Sequence, residues 1–406
     1  MPSSFRRWIQ VSIFNLLLVS FFGVVLRYKI AFTFPYFNQR YLLHGHSHFA
    51  FAGWLTQVLM VLMVQYLSQY QGEKVFKKYR LLLYANLITA YGMLISFPLQ
   101  GYAFWSICFS TLSIFVSYFF AFRFWKDLNR LSHKSISHSW YKASIIFSVI
   151  SSLGAFSLAY MMANKIMHEK WWLGAVYFFL HFQYNGWFFF AGMGLLVSLI
   201  EKTIPDAKTL KSIFWLFSLA CGPAYFLSAL WMDIPLPIYW LVILAAIAQL
   251  VGWILLVRLL LKDKSTLKTG LPKKGRQLLL LSAIAFTIKL LLQMGSTHPA
   301  LSQLAFGFRP IVIGYLHLVL LGVITIFILG YIFAMKFLEP GKYFIHGVWI
   351  FISGIILNEI LLMLQGVTGL SYTIVPYINE LLFAMAIILF CGLFVMNVQI
   401  RKKQIS

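Results

Sequence analysis

The sequence predicts an all-α membrane protein with twelve transmembrane helices in a single polytopic domain, residues 1–406. Of its 406 residues, 61% are hydrophobic and only 11% are charged, whereas about a quarter of the residues of a soluble protein are charged. The apolar residues form runs long enough to cross a bilayer, which takes about 20 residues. Basic residues are concentrated in alternate connections between the runs. This composition excludes soluble enzymes and disordered proteins.

Twelve apolar runs are the candidate helices, and we number them 1 to 12 in chain order. Their approximate bounds are 8–30, 41–68, 81–99, 102–122, 141–163, 171–200, 212–232, 235–257, 277–296, 310–334, 343–365 and 374–397. The first run is too long for the apolar part of a signal peptide and has no cleavage site of small residues. We therefore expect it to be a helix of the protein.

The distribution of lysine and arginine predicts the orientation. The two termini and the five connections on their side carry 26 of the 33 basic residues, and the six opposite connections carry 6. Because cytoplasmic loops are enriched in these residues, we expect both termini to be cytoplasmic and the protein to lie in an inner, cytoplasmic membrane. Topology thus accounts for the net charge of +23, and we expect no nucleic-acid partner.

The cysteines indicate no covalent or zinc chemistry. Cys108, Cys221 and Cys391 lie in three separate apolar runs. This spacing predicts neither a disulfide framework nor a zinc site, and the absence of Cys-x-x-Cys-His argues against a covalently attached c-type haem.

Five of the ten histidines fall in predicted helices 2, 6 and 10. They are His44, His46, His48, His181 and His317. These helices run in the same direction, four helices apart, and all five residues lie within about 15 Å of the outer ends. A lone histidine in a membrane often bonds only a backbone carbonyl. Five at related depths favour haem or metal ligation, since imidazole is a common ligand of iron and copper.

The helix 2 histidines face two ways. His44 and His48 are four residues apart and share a helix face, whereas His46 points elsewhere. One helix can therefore offer imidazoles in two directions.

Three further ionisable residues lie inside predicted helices. They are Lys289, Glu359 and Glu380. Charged groups are costly in a bilayer and are commonly functional there. These residues are candidates for proton conduction or for binding a propionate, or they form structural pairs.

The histidine pattern resembles a known superfamily. Twelve helices with ligands on helices 2, 6 and 10 resemble the large subunit of haem-copper oxidases and nitric oxide reductases. His46-Ser47-His48 followed by Gly53 gives H-x-H-x4-G, which is similar to helix 2 of nitric oxide reductases and of the NnrS-type haem-copper membrane proteins. The length fits the NnrS-type proteins best. The resemblance implies a bundle of three arcs, each of four helices.

Helices 6 and 10 also resemble the corresponding helices of this superfamily, but each departs from the family motif at one residue. His181 followed by Asn185-Gly186 resembles an H-x-x-x-E-G element with Asn in place of Glu, and Tyr315-Leu316-His317 resembles an H-x-H pair with Tyr at the first position. Predicted helix 7 contains no histidine, although the oxidases place a metal-binding pair there. We therefore expect no complete oxygen-reducing centre.

The resemblance implies b-type haem and, as an addition, a copper or iron ion. His48 and His317 are the expected axial ligands of a low-spin haem, with His44 as the alternative on helix 2. His46 and His181 are the expected ligands of the second metal or open a second haem site. The implied role is electron transfer or nitric oxide response or respiration, with a cytochrome or quinol as donor. Whether the protein is an oxidoreductase stays open.

Two other functions remain as alternatives. One is a proton- or metal-coupled transporter that uses the intramembrane histidine, lysine and glutamate residues. The other is a haem-binding assembly factor without turnover.

Overall fold

A computed structural model describes residues 3–204, 206–262, 270–302, 308–338, 341–371 and 373–405. Within these ranges the chain is helical and has no strand. Each of the twelve predicted runs overlaps one helical run, so we label the helical runs α1 to α12. Their bounds are α1 Ser3–Ala31, α2 Gln39–Gln71, α3 Lys74–Gln100, α4 Phe104–Asn129, α5 Ile136–Ala163, α6 169–200, α7 Ala207–Cys221 with Pro223–Ala229, α8 Leu236–Lys262, α9 Lys273–Ser296, α10 Arg309–Ala334, α11 Lys342–Leu370 and α12 Ile378–Ile405.

Ten helices of the described chain are long and apolar enough to cross a membrane. An eleventh is α7, if its two parts, bent by 48°, count as one span. α6 is not among the candidates, since the polar residues Gln183 and Asn185 lie at its middle. The helices of the described chain thus confirm the all-α fold, and their length and apolar composition support a multi-pass membrane protein. The number of twelve spans and their orientation stay predictions.

The chain divides into two compact units. One unit comprises Met1–Asp127 and Lys336–Ser406, and the other comprises Leu128–Met335. We call them the first and the second unit. The first holds α1 to α4 with α11 and α12, and the second holds α5 to α10.

In the first unit, α2 packs against α1 and α3, and α12 packs against α1 and α11. The α11–α12 crossing is close because a side chain is absent at Gly347 and Gly392, where an added Cβ would lie 2.8 Å from a backbone oxygen. Asp127 at the end of α4 pairs with Lys78 and accepts a hydrogen bond from Tyr79. These two contacts hold the end of α4 against the start of α3.

In the second unit, five helices form a closed ring. α6 packs against α7 and α10, α8 packs against α7 and α9, and α9 packs against α10. α5 lies outside the ring, against α6 and α7. The interior of the ring is therefore a separate environment, enclosed by side chains of α6 to α10.

Three helical runs contain a π-helical segment among the described residues. The segments are Ala50–Thr56 in α2, Phe182–Phe188 in α6 and Leu318–Thr325 in α10. π-Helical turns are rare and occur frequently at functional sites. These are the three helices that carry the five candidate histidines, His44, His46, His48, His181 and His317.

Candidate functional site

The histidine helices share one local design. In each, a histidine is followed five residues later by a glycine, and a π-helical segment begins within two residues of that histidine. The pairs are His48 and Gly53, His181 and Gly186, and His317 and Gly322. The glycine spacing in helices 2 and 6 is part of the resemblance drawn from the sequence. The same H-x4-G spacing in helix 10, from His317 to Gly322, is also present in the sequence but was not recognised there.

In α2, His46 faces α1. Its Nδ1 lies 3.1 Å from the carbonyl oxygen of Val19, and Gly23 of α1 lies against its ring. A carbonyl can only accept, so Nδ1 carries the proton and Nε2 carries the lone pair. This is the tautomer that suits a ligand binding through Nε2.

The other two α2 histidines face the end of α3, as the spacing predicts. The His48 ring stacks on Phe97 with 4.3 Å between centroids, and its Nε2 lies 3.0 Å from Tyr102 Oη. His44 meets the edge of Tyr102 with 4.7 Å between centroids. Because a phenol is protonated at neutral pH, Tyr102 can donate to His48.

Two buried asparagines hold the π-helical segment of α2. Asn15 of α1 donates to the Gly53 carbonyl at 2.6 Å, and Asn86 of α3 donates to the Ala52 carbonyl at 3.0 Å. Both asparagines are fully buried. A π-helical turn leaves carbonyls without their usual partners inside the helix, and these amides satisfy two of them. Neither residue was predicted from the sequence, although an asparagine within an apolar helix is a visible signal.

In α6, His181 is almost fully buried and both of its nitrogens are bonded. Nε2 donates to the carbonyl of Cys221 at 2.8 Å, and Nδ1 lies 3.1 Å from Nδ2 of Asn185. Cys221 is the last residue of the straight part of α7, just before the break at Pro223. His181 therefore satisfies a carbonyl at the bend and joins α6 to α7.

In α10, His317 Nδ1 donates to the carbonyl of Ile313 at 2.8 Å. This fixes the same tautomer as in His46. The following π-helical segment is again held from a neighbouring helix, since Ser282 of α9 donates to the Val323 carbonyl at 2.7 Å. Tyr315, at the position where the resemblance places a first histidine, lies against Tyr184 of α6 with 6.4 Å between ring centroids.

The ring of the second unit encloses a buried lysine. Lys289 of α9 lines two small cavities, and Asn185 of α6 lines both as well. Cys221 and Gln249 face the first cavity. This group of polar side chains comes from four helices, and no motif in the sequence relates them.

The acidic candidates of the first unit lie apart from these groups. Glu359 of α11 accepts a hydrogen bond from Asn358 at 3.3 Å and interacts electrostatically with Arg27 of α1. Its polar neighbours in the first unit are therefore Asn358 and Arg27. Glu380 lies in the first turn of α12.

The predicted ligands fall in both units. His44, His46 and His48 belong to the first, and His181 and His317 to the second. Among the described residues, no group of three or more His, Cys, Asp or Glu is arranged to hold a metal ion. The ligand roles of the five histidines stay predictions.

The chain matches no protein-family model, and no curated protein is significantly similar to it.

Proposed function

We propose that the protein is a haem-binding membrane protein, related to the haem-copper oxidases, that acts in electron transfer or in nitric oxide response. The observation that carries the proposal is the π-helical turn that follows a histidine in α2, α6 and α10. A π-helical turn is unfavourable on its own and is commonly retained where function requires it. Its recurrence at the same place in three helices fits ligand positioning.

Two hydrogen bonds support haem ligation in particular. His46 and His317 each donate Nδ1–H to a backbone carbonyl. Metal-ligating histidines commonly use one ring nitrogen in this way, which orients the ring and makes the other nitrogen more basic. The proposed haem ligands are therefore His317 of α10 and a histidine of α2. When bound, the haem would supply an iron for one-electron transfer or for nitric oxide binding.

Within α2, the sequence favours His48, with His44 as the alternative, and we keep that order in the proposal. Nε2 of His48 lies 3.0 Å from Tyr102 Oη. We add His46 as a further candidate, because the Val19 carbonyl orients its ring through Nδ1.

The proposed second metal is a copper or iron ion. Copper or iron ligation by His181 would require the loss of one of its two hydrogen bonds, to Cys221 or to Asn185. We propose an inner-membrane location with a cytochrome or quinol as electron donor, and no oxygen reduction at the rate of a respiratory oxidase.

Haem extraction tests the proposal. The protein is expressed in haem-replete cells, purified, and its haem measured as the pyridine haemochrome against protein concentration. We expect the wild-type protein to contain at least about one b-type haem per chain. A variant with His46, His48 and His317 all replaced by alanine is expected to contain less than one tenth of the wild-type haem. Equal haem in both proteins would show that the bound haem is adventitious.

A proton- or metal-coupled transporter is the second candidate. The observation in its favour is Lys289, an ionisable group inside a ring of five helices. A colourless but folded preparation from haem-replete cells would favour the transporter over the haem protein.

A further inference from the structure

Lys289 lies deep inside the ring formed by α6 to α10. Only 3% of its surface is exposed. Its Nζ lies 5.3 Å from the centroid of the Phe286 ring, a position in which the π face attracts a cation. The walls around it are largely aromatic and include Phe189 and Phe217. An ammonium group in such surroundings is unstable without a compensating negative charge.

The described acids of the second unit do not supply that charge. Glu201 accepts hydrogen bonds from Ser135, and Glu169 is exposed in the first turn of α6. Asp206 caps α7, and hydrogen bonds from Thr209 lower the pKa of its carboxyl.

The remaining described acid of this unit is Asp233. It pairs with Lys170 at 2.9 Å, and the hydrogen bond from Lys170 lowers the pKa of its carboxyl. Each of these four carboxylates is thus exposed or has a partner other than Lys289.

The space beside Lys289 admits only a very small ligand. Each of the two cavities has a volume of about 10 Å³, roughly the space of one water molecule. Lys289 and Asn185 line both cavities, so both border the same lysine side chain. The other polar side chains in the first cavity, Gln249 and Cys221, are uncharged. Gln249 has amide N–H donors, whereas the Cys221 thiol donates to the carbonyl oxygen of Asn185 at 3.9 Å.

We propose that Lys289, with Gln249, forms a binding site for a small monovalent anion of halide size. The ammonium provides the charge, and the Gln249 amide provides further N–H donors. Chloride is somewhat larger than water, and the flexible four-carbon stem of Lys289 allows the cavity to adjust. The competing state is a neutral amine that bonds a water molecule. The proposal is independent of haem, because it uses none of the proposed haem ligands.

Chloride-35 NMR distinguishes the two states. Purified full-length protein in detergent is titrated with sodium chloride at constant ionic strength, with sodium gluconate as the balance. We expect excess broadening of the chloride line that bromide reverses by competition. In parallel, chloride raises the Tm in a saturable way by about 2–4 °C, since a ligand that binds only the folded state stabilises it.

Variants assign the effect to the site. Lys289→Met is expected to remove the broadening and the Tm response, and Lys289→Arg to keep them. Lys170→Met, which changes an exposed lysine paired with Asp233, is the matched control and is expected to behave as wild type. If Lys289→Met fails to fold, Gln249→Leu is expected to weaken chloride binding at least threefold.

Two results would overturn the proposal. One is a wild-type protein with no excess broadening and no chloride-dependent Tm, which would mean that the cavities hold water beside a neutral amine. The other is a folded Lys289→Met variant that broadens the chloride line as the wild type does. Neither result depends on the haem content of the protein. The anion proposal can therefore be wrong while haem binding is correct, and the reverse.

Discussion

The hydrogen bond made by one nitrogen of a histidine ring determines what the other nitrogen can do. His46 and His317 both place Nδ1–H on a carbonyl, so Nε2 is the nitrogen for a ligand. His181 uses both nitrogens within the protein. The three helices thus share a motif but use their histidines in two ways.

The first prediction concerns His317. We expect His317→Ala to abolish the low-spin haem spectrum while the protein still inserts, because a site that loses one axial ligand becomes five-coordinate or empty. The measurement is the reduced absorption spectrum of the purified variant. His133→Ala, outside the histidine helices, is the control and is expected to leave the spectrum unchanged. An unaltered low-spin spectrum in His317→Ala would remove His317 from the site.

The second prediction concerns the amide that bonds His181. Asn185→Leu leaves the buried Nδ1 of His181 without its donor, so we expect a loss of about 1–3 kcal/mol of stability, seen as a lower Tm. Asn164→Leu is the control, since the side chain of Asn164 is exposed and bonds only its own helix. Equal Tm values for the two variants would contradict a structural role for the Asn185–His181 bond.

These residue contacts were only partly predictable. The sequence places the five histidines in three helices because polar residues stand out in apolar runs. It does not give their hydrogen-bond partners, since Val19 and Cys221 act through backbone carbonyls that every residue has. Lys289 was visible as an intramembrane charge, whereas its neighbours Cys221 and Gln249 come from helices that only folding brings together.

Among the elements, the apolar runs predicted where the helices lie but not their ends. The predicted run 81–99 is the helix Lys74–Gln100 in the structure. Its first turns, up to Arg80, are basic, and hydropathy alone assigns basic residues to a connection. The π-helical segments were also beyond prediction, because amides from neighbouring helices, such as Asn15 and Asn86, satisfy their carbonyls.

The third prediction concerns the glycines of the π-helical segments. A Cβ added at Gly186 would lie 2.6 Å from Cβ of Phe147 in α5, whereas one at Gly322 would lie 3.4 Å from its nearest neighbours. Overpacking commonly costs about 1–3 kcal/mol. We therefore expect Gly186→Ala to lower the Tm and Gly322→Ala to change it little.

The two substitutions form a matched pair, since both glycines lie five residues after their histidine. The measurement is thermal unfolding of each purified variant under the same conditions. Equal losses of stability would show that the close approach at Phe147 is not what requires Gly186.

At the scale of the whole molecule, the distribution of charge and the hydropathy both indicate apolar helices with basic ends. The apolar helices account for the hydropathy, and most of the bases lie in the end turns of helices or in the connections between them, as in the first turns of α3. The predicted cytoplasmic loops 123–140 and 258–276 are shorter in the structure, because α4 extends to Asn129 and α5 begins at Ile136. Part of the second loop, 263–269, lies outside the described residues.

The fourth prediction concerns orientation. Alkaline phosphatase inserted at 130–135 or at 263–269 should be inactive, because the basic excess predicts that both connections are cytoplasmic. The same reporter at 164–168, on the opposite side, should be active. An active enzyme in either basic loop would reverse the orientation and move all five histidines to the inner half of the bilayer.

The fifth prediction tests haem binding itself. The measurement is the absorption spectrum of the purified wild-type protein from haem-replete cells, first oxidised and then reduced with dithionite. We expect a Soret band and sharp α and β bands in the reduced form, as low-spin b-type haem with two histidine ligands gives. A folded, colourless protein would contradict haem binding and favour a transporter.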